Sequence, residues 1–371
     1  MPMTTVLISG AGIAGGTLAY WLARHGYEPT IVERSRGRRS SGNPVDVRAP
    51  ARDVAERMGL LPRLREAATR VNRLTFVDSQ GRRVAGMRMS PSDIELPRSD
   101  LARILSEAGQ DDTGYLYDDT ITSMRQDPSG VEVTFENAAP RRFDLVVGAD
   151  GLHSAVRRLA FGPEERFASH LGMYVATLPI TGLDLDPTEV TMHNTPGRAV
   201  ALHPGAGQPG AAFMYRAPAV PGLDHRDTAR HKEILAAAYA GAGWRVPYLL
   251  EQVRHADDLF FDAVSRVRLD TWSAGRVVLL GDAASCVSLF GDGSTLAMAG
   301  AFTLAEALAA HPRDHGAAFR AYETRHRVLA DPKQRLVAPA SRLLVPATGY
   351  GIAARNAGAR LLSAASRARA A

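Results

Sequence analysis

The chain has 371 residues, of which 45% are hydrophobic and 22% are charged. These proportions are typical of a soluble globular protein that is long enough for two lobes. Cys286 is the only cysteine, which excludes an internal disulfide and a cysteine-based metal cluster. No uninterrupted apolar run approaches the roughly 18 residues of a membrane helix, and no secretory signal precedes the first apolar segment. We therefore expect a cytoplasmic protein with no membrane span.

The net charge of +5 comes almost entirely from arginine, since Lys232 and Lys333 are the only lysines. A nucleic-acid-binding protein tends to concentrate such charge in one patch with aromatic residues. Here the arginines are dispersed, with clusters at 34–39 and near the C-terminus. The sequence therefore favours arginines that bind phosphates or carboxylates of small molecules, and it predicts no nucleic-acid partner.

The first 33 residues predict a βαβ unit. An apolar run at 6–9 is followed by a glycine-rich turn, and apolar residues of 17–25 recur at helical spacing up to Gly26, a typical helix stop. Residues 29–33 predict the second strand.

The rest of the chain alternates between helical and extended patterns. Helices are predicted at 51–68, 100–107, 227–255 and 295–310, and in the Ala- and Arg-rich tail from 339 to 371, which Pro346 interrupts. Strands are predicted at 73–77, 83–89, 131–135, 145–147, 172–180, 188–193, 198–203, 211–216 and 276–280.

This order predicts an α/β protein in which a β-rich insertion divides a Rossmann-type domain. The expected cofactor-binding domain comprises residues 1–70, 98–165 and 267–335. The expected substrate-binding domain comprises 71–97 and 166–266, and 336–371 form a C-terminal helical segment.

Gly10, Gly12 and Gly15 have the spacing G-x-G-x-x-G between the first strand and the first helix. Gly10 permits a tight turn, Gly12 lets the backbone approach a pyrophosphate, and Gly15 allows close helix packing. Ile13 and Ala14 open the helix, whose free N–H groups favour a phosphate. The motif predicts a bound dinucleotide.

Glu33 ends the second strand, 18 residues after Gly15. A carboxylate at this position accepts hydrogen bonds from both ribose hydroxyls and repels a 2′-phosphate. Arg34 follows it and is predicted to lie at the same site. The motif does not by itself distinguish NAD from FAD.

Two later motifs place an aspartate after a buried strand. Asp150-Gly151 follows the strand at 145–147, and Gly281-Asp282 follows the strand at 276–280. Both aspartates are expected at the carboxyl edge of a parallel sheet, where ligands bind.

Together these motifs resemble those of the group A flavoprotein aromatic hydroxylases, the family of p-hydroxybenzoate hydroxylase and of the tetracycline-inactivating monooxygenases. The resemblance covers about residues 4–360. It implies that the glycine motif holds the ADP part of FAD, with Glu33 at its ribose. It also implies that Asp150 serves both FAD and a pyridine nucleotide, and that Gly281 and Asp282 hold the ribityl and pyrophosphate region.

Two further segments gain candidate roles from the resemblance. Residues 96–101 match a family segment whose arginine contacts FAD, so Arg98 is a cofactor candidate, with a surface role as the alternative. Residues 42–48 align with a loop near the isoalloxazine ring. Asp46 and Arg48 are therefore candidates to contact flavin or substrate, although a solvated loop pair is an equal alternative.

A third helix tip is predicted after Gly293. A helix that starts near Ser294 or Thr295 directs its first N–H groups outward. At the pyrimidine edge of a flavin, these groups would stabilise negative charge on N1 and O2 of the reduced ring. An ordinary glycine-rich helix start is the alternative.

The chain departs from the family pattern between 285 and 292. Many relatives have His after Gly-Asp-Ala-Ala and a Pro-Pro pair before the glycine loop, where this chain has Ser285 and Ser288-Leu289. Asp292 adds a negative charge near a ring that must become anionic, unless it points to solvent. The cofactor prediction stands because the backbone does most of that binding, whereas the effect on flavin reactivity is open.

The β-rich insertion is predicted to roof a substrate pocket. Its period of two places Phe213 and Tyr215 on one face and Met214 and Arg216 on the other, and either pair could line the pocket. Each candidate has a structural role as its alternative. The candidates are Tyr174, His193, His203, Phe213, Tyr215 and Arg216.

The resemblance implies an enzyme in which NADPH or NADH reduces FAD, O2 adds at flavin C4a, and the hydroperoxide transfers one oxygen to a small aromatic or polycyclic substrate. No metal site is predicted, and a monomer or homodimer is expected. Baeyer–Villiger insertion, epoxidation and N-oxidation are alternatives on the same fold. So are a non-oxidative cyclisation with structural FAD and a binding protein that has lost catalysis.

Overall fold

The computed structural model describes residues 3–36, 44–90, 93–286 and 292–368. The strands in chain order are β1 (Thr5–Ser9), β2 (Glu28–Glu33), β3 (Pro44–Val47), β4 (Arg73–Val77), β5 (Arg83–Arg88), β6 (Ile94–Pro97), β7 (Gly114–Tyr117), β8 (Ile121–Asp127), β9 (Gly130–Phe135), β10 (Arg141–Phe143), β11 (Leu145–Gly148), β12 (Ala168–Pro179), β13 (Glu189–Thr195), β14 (Arg198–His203), β15 (Gly210–Arg216), β16 (Phe260–Val267), β17 (Ser273–Ala274) and β18 (Val277–Leu279). The α-helices are α1 (Ile13–Arg24), α2 (Ala49–Arg57), α3 (Leu61–Glu66), α4 (Arg98–Ala108), α5 (Ala155–Phe161), α6 (Thr228–Ala238), α7 (Val246–His255), α8 (Asp282–Ser285), α9 (Asp292–Ala310), α10 (His315–Leu344) and α11 (Gly349–Ala368).

A six-stranded sheet in the order β17-β18-β11-β1-β2-β7 forms the centre of the first lobe. The pairs β18–β11, β11–β1, β1–β2 and β2–β7 are parallel. Val6, Leu7 and Ile8 of β1 have no exposed surface, as expected for a strand with both faces covered. A predominantly parallel sheet brings the carboxyl ends of β1, β2, β11 and β18 to one edge.

Helices cover this sheet, and α9 is the most buried of the long ones. It packs against α1, α2 and α10, and small residues such as Ala301 and Ala305 allow the close approach. Its length and hydropathy would suffice for a membrane span, but 67% of the apolar window is buried inside the protein, as in a core helix. Each fully buried leucine of α1, such as Leu18 or Leu22, contributes roughly 1.5–3 kcal/mol by its removal from water.

A seven-stranded sheet in the order β16-β12-β15-β14-β13-β4-β5 forms the second lobe. Its strands are antiparallel except for the parallel pair β13–β4. Helices α6 and α7 cover its outer face and enclose a second hydrophobic core that includes Phe213, Leu235 and Leu249. The inner face turns toward the first lobe, so a cleft lies between the two sheets.

The α/β fold class with a β-rich insertion and C-terminal helices is confirmed. The predicted helix at 51–68 is two helices, because Gly59 adopts a φ of 70° between α2 and α3. The short strands β3 and β6, which pair in an antiparallel ribbon, were not predicted because four residues give too little periodicity.

The C-terminal helices join the two lobes. Helix α10 is 30 residues long and continues through Pro332 and Pro339, although proline removes a backbone donor. The predicted interruption at Pro346 is confirmed, since α10 ends at Leu344 and α11 begins at Gly349. Helix α11 packs on the edge strand β5, where Arg360 Nε donates to Val84 O at 2.7 Å.

Candidate active site

The three sequence motifs meet at the carboxyl edge of the six-stranded sheet. Because β1 pairs in parallel with β2 and β11, and β11 with β18, the turns that follow these strands are neighbours. They surround one end of a cleft of about 670 Å³, a size within the range of cofactor sites. The predicted cofactor residues that line it are Gly10, Gly12, Ile13, Ala14, Glu33, Arg34, Arg98, Asp150, Asp282, Gly293 and Ser294.

Each glycine of the first motif has a different physical role. Gly10 has a φ of 105°, and a Cβ there would lie 2.6 Å from the carbonyl oxygen of Ala149. A Cβ on Gly15 would lie 2.0 Å from the carbonyl oxygen of Gly10. At Gly12, by contrast, an added Cβ would meet no atom within 4 Å. Gly12 therefore leaves open space for a ligand in front of the N-terminus of α1.

Glu33 connects the glycine turn to the end of β2. Its Oε2 accepts a hydrogen bond from Ala11 N at 2.9 Å, and its Oε1 accepts one from Ser35 N at 2.9 Å. Each carboxylate oxygen has further lone-pair capacity, so Glu33 can still accept from ribose hydroxyls.

The two motif aspartates are both buried, and in each case burial raises the pKa of the carboxyl group above its usual value. Asp150 accepts from Ala155 N at 2.8 Å and from Val156 N at 3.1 Å, at the start of α5. Arg98, at the start of α4, partly opposes the raised pKa of Asp282. Asp282 thus has a cationic side chain nearby across the cleft.

Three predicted cofactor residues are not among the cleft-lining residues that the structure describes: Gly15, Gly281 and Thr295. Gly281, with a φ of 63°, lets the end of β18 approach α1, since a Cβ there would lie 3.2 Å from that of Ala14. Thr295 instead holds a neighbouring strand. These residues support the walls of the cleft.

Helix α9 begins at Asp292 in the described residues, and its first hydroxyl groups bind β3. Ser294 Oγ and Thr295 Oγ1 donate to the carbonyl oxygen of Asp46 at 2.7 and 3.0 Å. Thr295 Oγ1 also accepts from Arg48 N at 3.1 Å. The helix tip and the ribbon that carries Asp46 and Arg48 are therefore held as one unit beside the cleft.

Asp292 does not point to solvent, which was the alternative considered for it from the sequence. Its Oδ1 lies 2.8 Å from Arg48 Nη1 and 3.0 Å from Lys333 Nζ. Arg48 Nη2 also lies 2.8 Å from Asp46 Oδ2. Two cations thus neutralise Asp292, so its charge does not oppose negative charge on a neighbouring ring.

Asp46 is 7% exposed, and one of its carboxylate oxygens has no hydrogen-bond partner. Burial raises its pKa to about 6, against the opposing effect of Arg48. Glu95 stands opposite Asp46 in the β3–β6 ribbon and raises it further. Asp46 therefore titrates close to neutral pH.

The second lobe contributes the inner face of its sheet to the cleft. Val175 and Thr177 of β12 and Ala212 of β15 line it, together with Phe260 and Asp262 of β16. Most residues of this wall are apolar, and Thr177 and Asp262 are its polar members, which suits a largely hydrophobic substrate.

Three predicted substrate residues are placed wrongly by the sequence. Tyr174, Phe213 and Tyr215 alternate with the cleft-lining residues and lie in the second core beneath α6 and α7. The rings of Tyr174 and Tyr215 stack on each other, and Phe213 and Tyr215 each meet Tyr239 edge to face. The period of two was correct, but it does not say which face meets the cofactor lobe.

The remaining substrate candidates have structural partners. Arg216 donates to the carbonyl oxygens of Val345 and Ser341 at 2.6 and 2.9 Å, and so fixes the end of α10. His203 Nε2 lies 3.0 Å from Glu95 Oε1. His193 Nδ1 lies 3.2 Å from the carbonyl oxygen of Val77. None of the three is among the cleft-lining residues of the described chain.

Sequence reasoning missed a histidine pair at the cleft mouth. His153 lies 2.9 Å from Glu164 Oε1 and 3.2 Å from Asp262 Oδ2. Burial alone would lower its pKa, but these hydrogen bonds raise it to about 9. Its ring stacks on His225 with centroids 4.1 Å apart. The only sequence signal was the position of His153 two residues after Gly151.

The open space before Gly12, the helix N-terminus without a side-chain cap and the carboxylate at the end of β2 fit an adenosine diphosphate group. The same cleft continues to Gly293 and the apolar sheet wall, where it has room for a ring system. A Rossmann-type sheet of this kind, roofed by a second sheet, defines a dinucleotide-binding protein of the two-lobed class.

Comparison with known proteins specifies the class. The chain belongs to the FAD binding domain family, which it matches over residues 3–331, and FAD is its cofactor. It is 41% identical over 350 residues to an uncharacterized protein of Mycobacterium tuberculosis, covering 91% of this chain and 93% of that one.

Other relatives have names that describe a function. A flavin-dependent monooxygenase of Legionella longbeachae is 33% identical over 345 residues, with 89% of this chain and 87% of that one covered. The crystal structure of the tetracycline destructase Tet(55) superposes with a TM-score of 0.85 at 32% identity, covering 97% and 96% of the two chains. The predicted resemblance to the group A monooxygenases is confirmed, and the chain is an FAD-dependent monooxygenase.

Proposed function

We propose that the enzyme uses NAD(P)H and O2 to insert one oxygen atom into a small aromatic or polycyclic organic substrate. The observation that carries the proposal is a single cleft with two chemically different walls. Gly12 and Gly293 lie on the cofactor wall, and Val175, Thr177 and Ala212 lie on the apolar sheet wall. A substrate held against the second wall would face the redox group on the first.

Bound FAD would supply the redox chemistry, which includes accepting electrons and activating O2. The chain's own residues provide binding, orientation and exclusion of water. The glycine turn and Glu33 would hold the adenosine end, and Asp150, Arg98 and Asp282 the middle. The N-terminus of α9 would favour negative charge at the ring end, while Arg48 and Lys333 neutralise Asp292 beside it.

Arginines at the cleft mouth support a pyridine nucleotide as the electron donor. Arg34 lines the cleft, and its pKa is lowered by burial and then by the nearby charges of Arg226 and Arg158. Within the described residues, none of these three has a carboxylate partner in a salt bridge. Asp150 and Glu33 raise the pKa of Arg34 in opposition, but guanidinium ions outside a salt bridge still suit the phosphates of a transient dinucleotide. These charges do not decide between NADH and NADPH.

The test is a substrate screen with FAD-loaded enzyme, following NAD(P)H oxidation and the product mass under ¹⁸O₂. We expect substrate-stimulated oxidation and a product with one labelled oxygen atom. Ala212→Phe should reduce substrate affinity by roughly tenfold or more, because the larger side chain fills the sheet wall. Ala310→Phe, at the exposed end of α9, is the matched control.

A product that carries oxygen from water, or a rearranged product without added oxygen, would contradict the proposal. The latter result would instead favour cyclisation with structural FAD.

A further inference from the structure

The long helix α10 presents an apolar face to solvent. Leu329, Pro332, Leu336, Pro339 and Leu343 recur at alternating steps of three and four residues, which places them on one side of the helix. Leu336 is 59% and Leu343 61% exposed. The row extends over about 21 Å at 1.5 Å per residue. We call it the α10 outer face.

The opposite side of the same helix accounts for its stability in the fold. Tyr322, His326, Ala330 and Val337 are buried there and pack toward α9. The α10 outer face is therefore not needed to hold the helix in place. Single exposed leucines are common on protein surfaces, but a continuous row on one helix indicates a contact surface.

Exposed arginines flank this row. Arg325, Arg335 and Arg342 are exposed, and none of them has a salt bridge among the described residues. Asp331 is the last acidic residue of the chain. Because Arg325, Arg335 and Arg342 lie exposed beside the row, a contact surface here favours a partner with negative charge.

We propose that the α10 outer face docks onto an anionic lipid bilayer. The leucines would enter the boundary between headgroups and acyl chains, and the arginines would bind the lipid phosphates. A second copy of the chain fits less well, because a symmetric contact would bring the same arginines together. The surface lies away from the cleft, so the inference does not depend on the proposed reaction.

The experiment measures co-sedimentation of the FAD-loaded full chain with two kinds of vesicle. One kind is phosphatidylcholine alone, and the other contains about 30 mol % phosphatidylglycerol, which supplies the negative surface potential. We expect binding to the anionic vesicles, weakened by salt. Arg335→Gln with Arg342→Gln should weaken it about 30-fold, given the usual contribution of each basic residue near such a surface.

The leucines are tested by Leu336→Glu with Leu343→Glu, which should abolish binding. Leu159→Glu, at a leucine of α5 that is 39% exposed, is the matched control and should bind like wild type. Flavin absorbance and circular dichroism establish that each variant is folded and loaded. These readouts are independent of turnover.

Four outcomes would overturn the proposal. The first is no binding to anionic vesicles. The second is equal binding by wild type and the leucine variant. The third is a dimer in lipid-free gel filtration that the leucine variant abolishes, which would assign the surface to a second copy of the chain. Salt-sensitive binding to duplex DNA that is unaffected by the leucine variant, without vesicle binding, would also overturn it.

Discussion

Gly12 and Gly15 are three residues apart, yet a side chain added at each would meet opposite surroundings. Gly12 has a φ of −73°, which any residue adopts, and its Cβ would meet only open space. A Cβ added at Gly15 would collide with the backbone of Gly10. The first glycine thus serves the ligand, and the second serves the fold.

We therefore predict that Gly12→Val leaves the free energy of unfolding of the FAD-free protein nearly unchanged while weakening FAD binding by at least roughly tenfold, or about 1.4 kcal/mol. Gly15→Val should lower the unfolding free energy by several kcal/mol, because backbone cannot move aside cheaply. Urea unfolding and FAD fluorescence titration measure the two effects. Wild-type FAD affinity in Gly12→Val would show that no phosphate passes this turn.

At the scale of elements, the contact between α9 and α10 depends on an uncharged histidine. His326 is 1% exposed, and neither ring nitrogen has a hydrogen-bond partner. Its ring lies against Gly300 of α9, where a Cβ would approach its Nε2 to 2.9 Å. Burial lowers the pKa of His326 to about 4.

This shift predicts how stability depends on pH. Because the folded pKa lies below that of an unfolded histidine, near 6.5, the unfolded chain binds more protons between pH 6.5 and 4. The contribution of His326 to the free energy of unfolding is fully present above pH 6.5. It falls by about 2 kcal/mol between pH 6.5 and 5. The raised pKa of Asp46 has the opposite effect, because protonation of its carboxylate below about pH 6 stabilises the folded state.

His326→Phe keeps an aromatic ring in place and removes the titration. Urea unfolding of both proteins at several pH values isolates the histidine, since Asp46 contributes equally to each. We expect the acid-side loss of wild type to be smaller in His326→Phe by about 2 kcal/mol at pH 5. Parallel pH profiles would show that His326 is already protonated or hydrated in the folded state.

At the scale of the whole molecule, the cleft is assembled from distant parts of the chain. Its walls come from β1, β2, β11 and β18 of one lobe and from β12, β15 and β16 of the other. A ligand that binds there contacts only the folded arrangement, so its binding free energy adds to the stability of the whole.

We predict that FAD raises the melting temperature of the FAD-free protein. At a free concentration of about 100 times the Kd, the stabilisation should be about 2.7 kcal/mol, which corresponds to a shift of several degrees. Differential scanning calorimetry with increasing FAD measures it, and Gly12→Val at the same concentrations should shift less. A melting temperature independent of FAD would contradict a cofactor bound between the lobes.

The sequence by itself determined the parts of the protein that local chemistry controls. Strand and helix periods defined β1, α1 and β2, and the glycine spacing, Glu33 and the two strand-end aspartates identified a dinucleotide site. These features are short range: a turn, a helix tip and a strand end each specify their own geometry.

Only the tertiary structure decided how those parts meet. One face of the second sheet packs under α6 and α7, which buries Tyr174, Phe213 and Tyr215 in a core. The other face meets the cofactor lobe, so Val175, Thr177 and Ala212 line the cleft. The ion pairs of Asp292 with Arg48 and Lys333 join residues 244 and 41 positions apart. A hydrogen bond from Asp262, 109 positions away, helps to raise the pKa of His153. No local pattern encodes such pairings, because they depend on how the two lobes pack.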